Sequence, residues 1–115
     1  MTAVVPRRGE VWQVNFNPAR GSEQRGIRPA QVIQNDVGNE FAATTIVAAI
    51  TTTLKAYPVT VLLDRGEGGL REPSMVNLAQ ILTVDKARLR TRLGRLPDER
   101  LDAVDAAIRV CLEVR

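Results

Sequence analysis

The chain has 115 residues, 44% hydrophobic and 25% charged, with a formal net charge of +3, one cysteine and no histidine. That length predicts one domain over residues 1–115 with room for a core. Lacking histidine and holding only Cys111, it can form no Ser-His-Asp triad, histidine base, imidazole or multi-cysteine metal site, or internal disulfide; neither metal nor cofactor is expected. No apolar run approaches the roughly 20 residues of a membrane helix, and the segment Met1–Arg8 lacks the ordered regions of a signal peptide. A cytoplasmic protein without membrane contact is expected.

Glu10–Asn17 alternates, with Trp12, Val14 and Phe16 on one face and Gln13, Asn15 and Asn17 on the other. That period of two predicts a half-buried strand, with Trp12 and Phe16 in the core. Ala30–Asn35 predicts a second strand, followed by a turn at Asp36–Asn39. Thr44–Ile50, rich in β-branched residues, predicts a third and Val59–Leu63 a fourth. Gly66–Gly69 reads as a mobile turn. Met75–Val84 predicts a fifth strand, long enough to bend or bulge. Asp85–Leu89 reads as one short helical turn. Leu96-Pro97-Asp98-Glu99 then opens the one strong helix, since proline and acidic residues suit a first helical turn. Leu101, Val104, Ile108 and Cys111/Leu112 form its apolar stripe. Five strands with short connections and a terminal helix predict a mainly β fold, a small, strongly curved antiparallel barrel.

Between the first two strands lies Gly21–Pro29, a loop dense in polar groups: Glu23, Gln24, Arg25 and Arg28. Pro29 restrains the backbone of Arg28. The basic residues are 14 Arg and 2 Lys, and a planar guanidinium binds phosphate bidentately; Arg-rich genome composition would give the same count. Strand three ends in Thr51-Thr52-Thr53. Threonine favours strands, so this is a polar strand end or a row of hydroxyls offered to a phosphate.

These residues resemble a known family in its own order. Arg8-Gly9-Glu10-Val11-Trp12, Phe16-Asn17-Pro18, Gly21-Ser22-Glu23-Gln24, Gly26-Ile27-Arg28-Pro29, Ala48-Ala49-Ile50-Thr51 and Val76-Asn77-Leu78-Ala79-Gln80 with Thr83 are similar to the motifs of MazF/PemK-type toxins. These are the ribonucleases of type II toxin–antitoxin pairs, and the resemblance runs from about Arg8 to the C-terminal helix. Ala79 and Leu82 depart from the family's common acidic and basic or polar residues, which bears on sequence preference.

The resemblance implies an SH3-like small β-barrel of the CcdB/MazF toxin type, assembled as a homodimer. It implies metal-independent cleavage of single-stranded RNA (mRNA) to 2′,3′-cyclic phosphate and 5′-hydroxyl ends. It implies catalysis by Arg28 and Thr51, with Glu23 accepting a proton or orienting Arg28. RNA contacts are expected at Arg8, Gln24, Arg25, Thr52, Thr53 and Gln80. The implied partner is a MazE-like antitoxin whose acidic tail would lie along the basic groove. The C-terminal helix and the strand edges near Ile46 and Leu78 are expected dimer surfaces. Two rivals keep the fold: a CcdB-like gyrase poison and a non-catalytic RNA-binding barrel.

Overall fold

In the computed structural model, residues 4–17, 26–55 and 58–115 are described. Six strands run β1 (Glu10–Asn15), β2 (Ile27–Val32), β3 (Thr44–Thr51), β4 (Thr60–Leu63), β5 (Ser74–Asp85) and β6 (Leu89–Arg95), with helices α1 (Asp36–Phe41) and α2 (Asp98–Leu112). They form one antiparallel sheet in the order β4-β5-β3-β2-β1-β6. β4 and β6 are therefore the edges, and the barrel is not closed by a strand pair.

The sheet is nevertheless strongly coiled. The β3–β5 register jumps from Ala48↔Ile81 to Ala49↔Asn77, so Leu78, Ala79 and Gln80 bulge from β5. Such a bulge bends a long strand and sharpens its twist, as the length of Met75–Val84 predicts. Coiling brings Val11 of β1 into one core cluster with Leu63 of β4, Leu78 of β5, and Leu101 and Val104 of α2. A second cluster joins Trp12, Val14 and Phe16 to Ala30, Val32, Val47 and Leu89. Trp12 and Phe16 are core residues as expected, and the Trp12 indole N–H donates to the buried Glu10 carboxylate at 3.1 Å.

The structure corrects several expectations. Asp85–Leu89 is not an isolated helical turn before α2. A single 3-10 turn at Lys86–Arg88 leads into β6, a sixth strand. Its exposed Arg90, Thr91 and Arg92 hide the strand pattern, and edge strands tolerate such charges. Asp36–Asn39 is the start of α1 rather than a simple turn, capped by Asn35, whose side chain accepts from the Gly38 N–H at 2.8 Å. α1 is pinned by buried Asn39, which accepts from the Thr45 hydroxyl at 2.7 Å and donates to the Gln34 carbonyl at 2.9 Å.

Gly66–Gly69 is a packed turn, not a loose one. It leaves β4 and lies against β6 and β1. A Cβ on Gly68 would sit 2.7 Å from a Val11 methyl, and one on Gly69 would overlap the Leu93 carbonyl oxygen. Both glycines have positive φ, which only glycine adopts without strain. Arg100 of α2 holds this turn by donating to Glu67 at 3.0 Å and to Asp64 at 3.0 Å.

The apolar stripe of α2 is Leu101, Val104 and Ala107, with Ile108 and Cys111 half-buried; Leu112 is exposed. Ile46 and Leu78 do not lie on sheet edges. They belong to the interior strands β3 and β5, and Leu78 is fully buried. Exposed apolar side chains lie instead on the β4 edge at Leu62 and on α2 at Val110 and Leu112.

Candidate nucleic-acid site

β2 and β3 pair with Ala30 opposite Ala49 and Val32 opposite Val47. Continuing that antiparallel register by two residues sets Arg28 across from Thr51, and side chains two apart share a sheet face. Both line a pocket of about 310 Å³ with Pro29, Ile50, Thr52, Thr53 and Ser74. Arg28 is exposed at the start of β2, opposite Val14 of β1. Pro29 behind it restrains its backbone. Thr51 is half-buried, and its hydroxyl oxygen accepts the Thr53 N–H at 3.1 Å. That bond turns the strand end and leaves the hydroxyl proton to be donated into the pocket. The segment beyond is tied down by the Lys55 N–H, 3.3 Å from the Met75 sulfur. A guanidinium and three threonines converging on an open pocket can grip a phosphoryl group.

The structure separates the other residues singled out from the sequence. Thr52 and Thr53 line the pocket with the pair. Glu23, Gln24 and Arg25 lie outside the described residues. Gln80 sits in the β5 bulge and does not line this pocket. Arg8 is also elsewhere: its Nε donates to the Ile33 carbonyl at 2.9 Å and its Nη2 to Asp105 at 2.7 Å, tying the end of β2 to α2. The Arg8 backbone N–H donates to Asp36 at 2.7 Å. That bond is the largest reason the Asp36 carboxyl titrates below its ordinary range; Asn39 and the charges of Arg7 and Arg8 add to it, and burial opposes it. Sequence reasoning missed Ser74 and Pro29 as wall residues. Ser74 comes alongside because β4 and β5 pair with Leu63 opposite Ser74, a long-range register with no local signal. Among the described residues, no three His, Cys, Asp or Glu side chains come together as a metal site.

The model of the PemK-like, MazF-like toxins of type II toxin–antitoxin systems matches residues 7–112. The chain belongs to that family. Endoribonuclease EndoA of Bacillus subtilis (strain 168) is 42% identical over 111 residues, covering 95% of this chain and 96% of that protein. Among solved structures, MazF from Deinococcus radiodurans superposes with a TM-score of 0.80 at 28% identity, over 96% of this chain and 98% of that one. A mycobacterial endoribonuclease solved with its cognate antitoxin has a TM-score of 0.82 at 23% identity, over 96% of this chain and 97% of that one, a likeness of fold. The six-stranded coiled sheet and terminal helix are thus the toxin fold that the motifs from Arg8 to Thr83 imply. No helix among the described residues is long and apolar enough to cross a membrane.

Proposed function

We propose that this chain is an endoribonuclease toxin that cuts single-stranded RNA, mRNA among it, at short sequences. The observation that carries this reading is the convergence of Arg28 and Thr51 on one pocket at the open end of β2 and β3. In the reaction the RNA 2′-oxygen attacks the adjacent phosphorus, the bond from phosphorus to the 5′-oxygen breaks, and a 2′,3′-cyclic phosphate and a 5′-hydroxyl result. The 2′-hydroxyl loses its proton, the leaving 5′-oxygen gains one, and the phosphoryl oxygens carry extra negative charge in between.

Arg28 supplies the cation for that charge. A guanidinium stays protonated at neutral pH, which suits it as a clamp and proton donor and unfits it as a base. Thr51 donates to a phosphoryl oxygen. Glu23, in the loop before Arg28, is the carboxylate assigned from sequence to take a proton or orient the guanidinium. Gln24, Arg25, Thr52, Thr53 and Gln80 are assigned to the splayed single strand, because paired A-form RNA hides its base edges. No step requires a metal ion when a fixed cation faces the phosphoryl oxygens.

The family and the relatives solved with antitoxins support two partners: a second copy of this chain and a MazE-like antitoxin with an acidic tail. The experiment is incubation of the purified protein with a long single-stranded RNA in EDTA, with end analysis. Cleavage leaving cyclic phosphate ends, lost on Arg28→Ala, supports the reading. Intact RNA together with inhibition of gyrase supercoiling would replace it with the gyrase-poison reading. Sedimentation of the toxin alone and with antitoxin reads the dimer and the complex.

A further inference from the structure

The pocket at Arg28 and Thr51 continues into a second one of about 490 Å³ across a lip made by Pro29, Thr52 and Ser74, which line both. Leu70 and Leu93 give the second pocket apolar walls, Glu72 lies at its exposed side, and Gln13 of β1 also lines it. A single strand held by its phosphate in the first pocket has its neighbouring base within reach of the second.

Gln13 is placed unusually for a strand residue. Its register partner on β2 is Pro29, which has no N–H to offer. On the other side the β1–β6 ladder shifts between Trp12 and Val14, so Gln13 has no register partner on β6. Its side-chain oxygen is out of contact with solvent and accepts no hydrogen bond among the described residues. Buried acceptors are nearly always satisfied, and an orphan is a standing cost. Gln31 carries a second orphan oxygen, but it is fully buried and lines neither pocket, whereas Gln13 is half-buried at the cavity. Only Gln13 can satisfy its oxygen by turning toward a bound group.

The pocket's other polar groups share this bias. The Ser74 hydroxyl already donates to the Glu72 carbonyl at 2.9 Å, so its oxygen is left as an acceptor. The Glu72 carboxylate is an acceptor at ordinary pH. Three acceptors beside apolar walls call for a flat ligand that presents N–H donors.

We propose that this second pocket seats the base next to the scissile phosphate and that Gln13 reads it. The oxygen of Gln13 accepts from the exocyclic amino group of adenine, cytosine or guanine, and uracil, which has none, is rejected. This rests on the nuclease reading for the placing of the phosphate.

The test uses fully 2′-O-methylated RNA octamers, which cannot form the cyclic phosphate, so binding is read apart from cleavage. Pools randomised in sequence are selected on the wild-type protein, on Gln13→Met and on Gln13→Glu, each first checked for a cooperative unfolding transition. The wild type should enrich amino-bearing bases over uracil at one position by roughly tenfold, the discrimination of one well-placed base contact. Gln13→Met, similar in volume but without the acceptor, should bring that position to within about twofold while leaving the others unchanged. Gln13→Glu keeps an acceptor and should keep the preference, which also covers the case of a poorly folded Met variant. A folded Gln13→Met protein with the wild-type profile, or a wild type with no position that rejects uracil, overturns the proposal. Cleavage of unmodified RNA by the wild type is scored separately. A wild type that selects bases but leaves RNA intact refutes the nuclease reading and not the base pocket.

Discussion

Replacing Arg28 by alanine is the sharpest perturbation of the proposed site. The side chain is exposed at the start of β2 and outside both core clusters, so stability should change by no more than about 0.5 kcal/mol. The backbone pairing with Val14 does not depend on the side chain. Activity should respond very differently. Arginines that stabilise phosphoryl transition states are worth roughly 10³–10⁵ in rate. The pocket here is open to solvent on one side and Arg28 is exposed, so the lower end applies, about 10³-fold. At about 1.36 kcal/mol per decade that is about 4 kcal/mol of lost transition-state stabilisation. Arg28→Lys keeps the charge but loses the two-pronged fork, and should fall between, at roughly 10–100-fold. The assay is single-turnover cleavage of a labelled single-stranded RNA in EDTA, beside urea unfolding of each variant. A folded Arg28→Ala protein within about threefold of the wild-type rate would refute the assignment of Arg28 as the clamp.

Thr51→Val removes one donor while keeping the β-branched shape, and should slow cleavage by roughly 10–100-fold with an unchanged unfolding midpoint, read by the same two assays. Gly69→Ala forces a side chain into a backbone with φ of 76° and onto the Leu93 carbonyl. It should cost about 3 kcal/mol or more in urea unfolding; a cost near zero would mean the turn is not packed as described. Asp36→Asn should be less stable than wild type at neutral pH. The folded carboxyl is held below its model value of 3.8, so its contribution is present above that pH and lost as pH falls through the folded pKa. The gap between the two proteins in a pH series of unfolding midpoints should therefore close in acid, and a gap that widens there contradicts the Asp36–Arg8 bond. Arg8→Met breaks a partly exposed ion pair and should cost about 1 kcal/mol or less. RNA affinity and its salt dependence should not change, because Arg8 is spent on Asp105 and Ile33.

Local chemistry was enough for much of this molecule. The alternation through Trp12, Val14 and Phe16, the β-branched run of β3 and the capped amphipathic stretch of α2 announce themselves, because apolar periodicity and end signals are properties of neighbouring residues. The motifs around Arg28 and Thr51 marked the two residues of the pocket. Four elements escaped for the opposite reason. β6 is an edge strand whose exposed arginines cover its pattern. α1 is six residues long and is held by Asn39 reaching Gln34 and Thr45 rather than by its own propensity. The glycine turn looks loose until Leu93 and Val11 close over it. Arg8 looks like an RNA contact until Asp105 of α2, nearly a hundred residues away, takes its charge.

What the chain determined by itself was therefore the strand-rich class, the terminal helix, and the residue types able to handle phosphate without histidine. Tertiary structure decided their relations. The β2–β3 register sets Arg28 opposite Thr51, the β5 bulge coils the sheet so that strands distant in order share one core, and β4–β5 pairing brings Ser74 to the lip between the two pockets. Registers of this kind are fixed by burial summed over whole faces, a quantity that no local stretch of sequence contains.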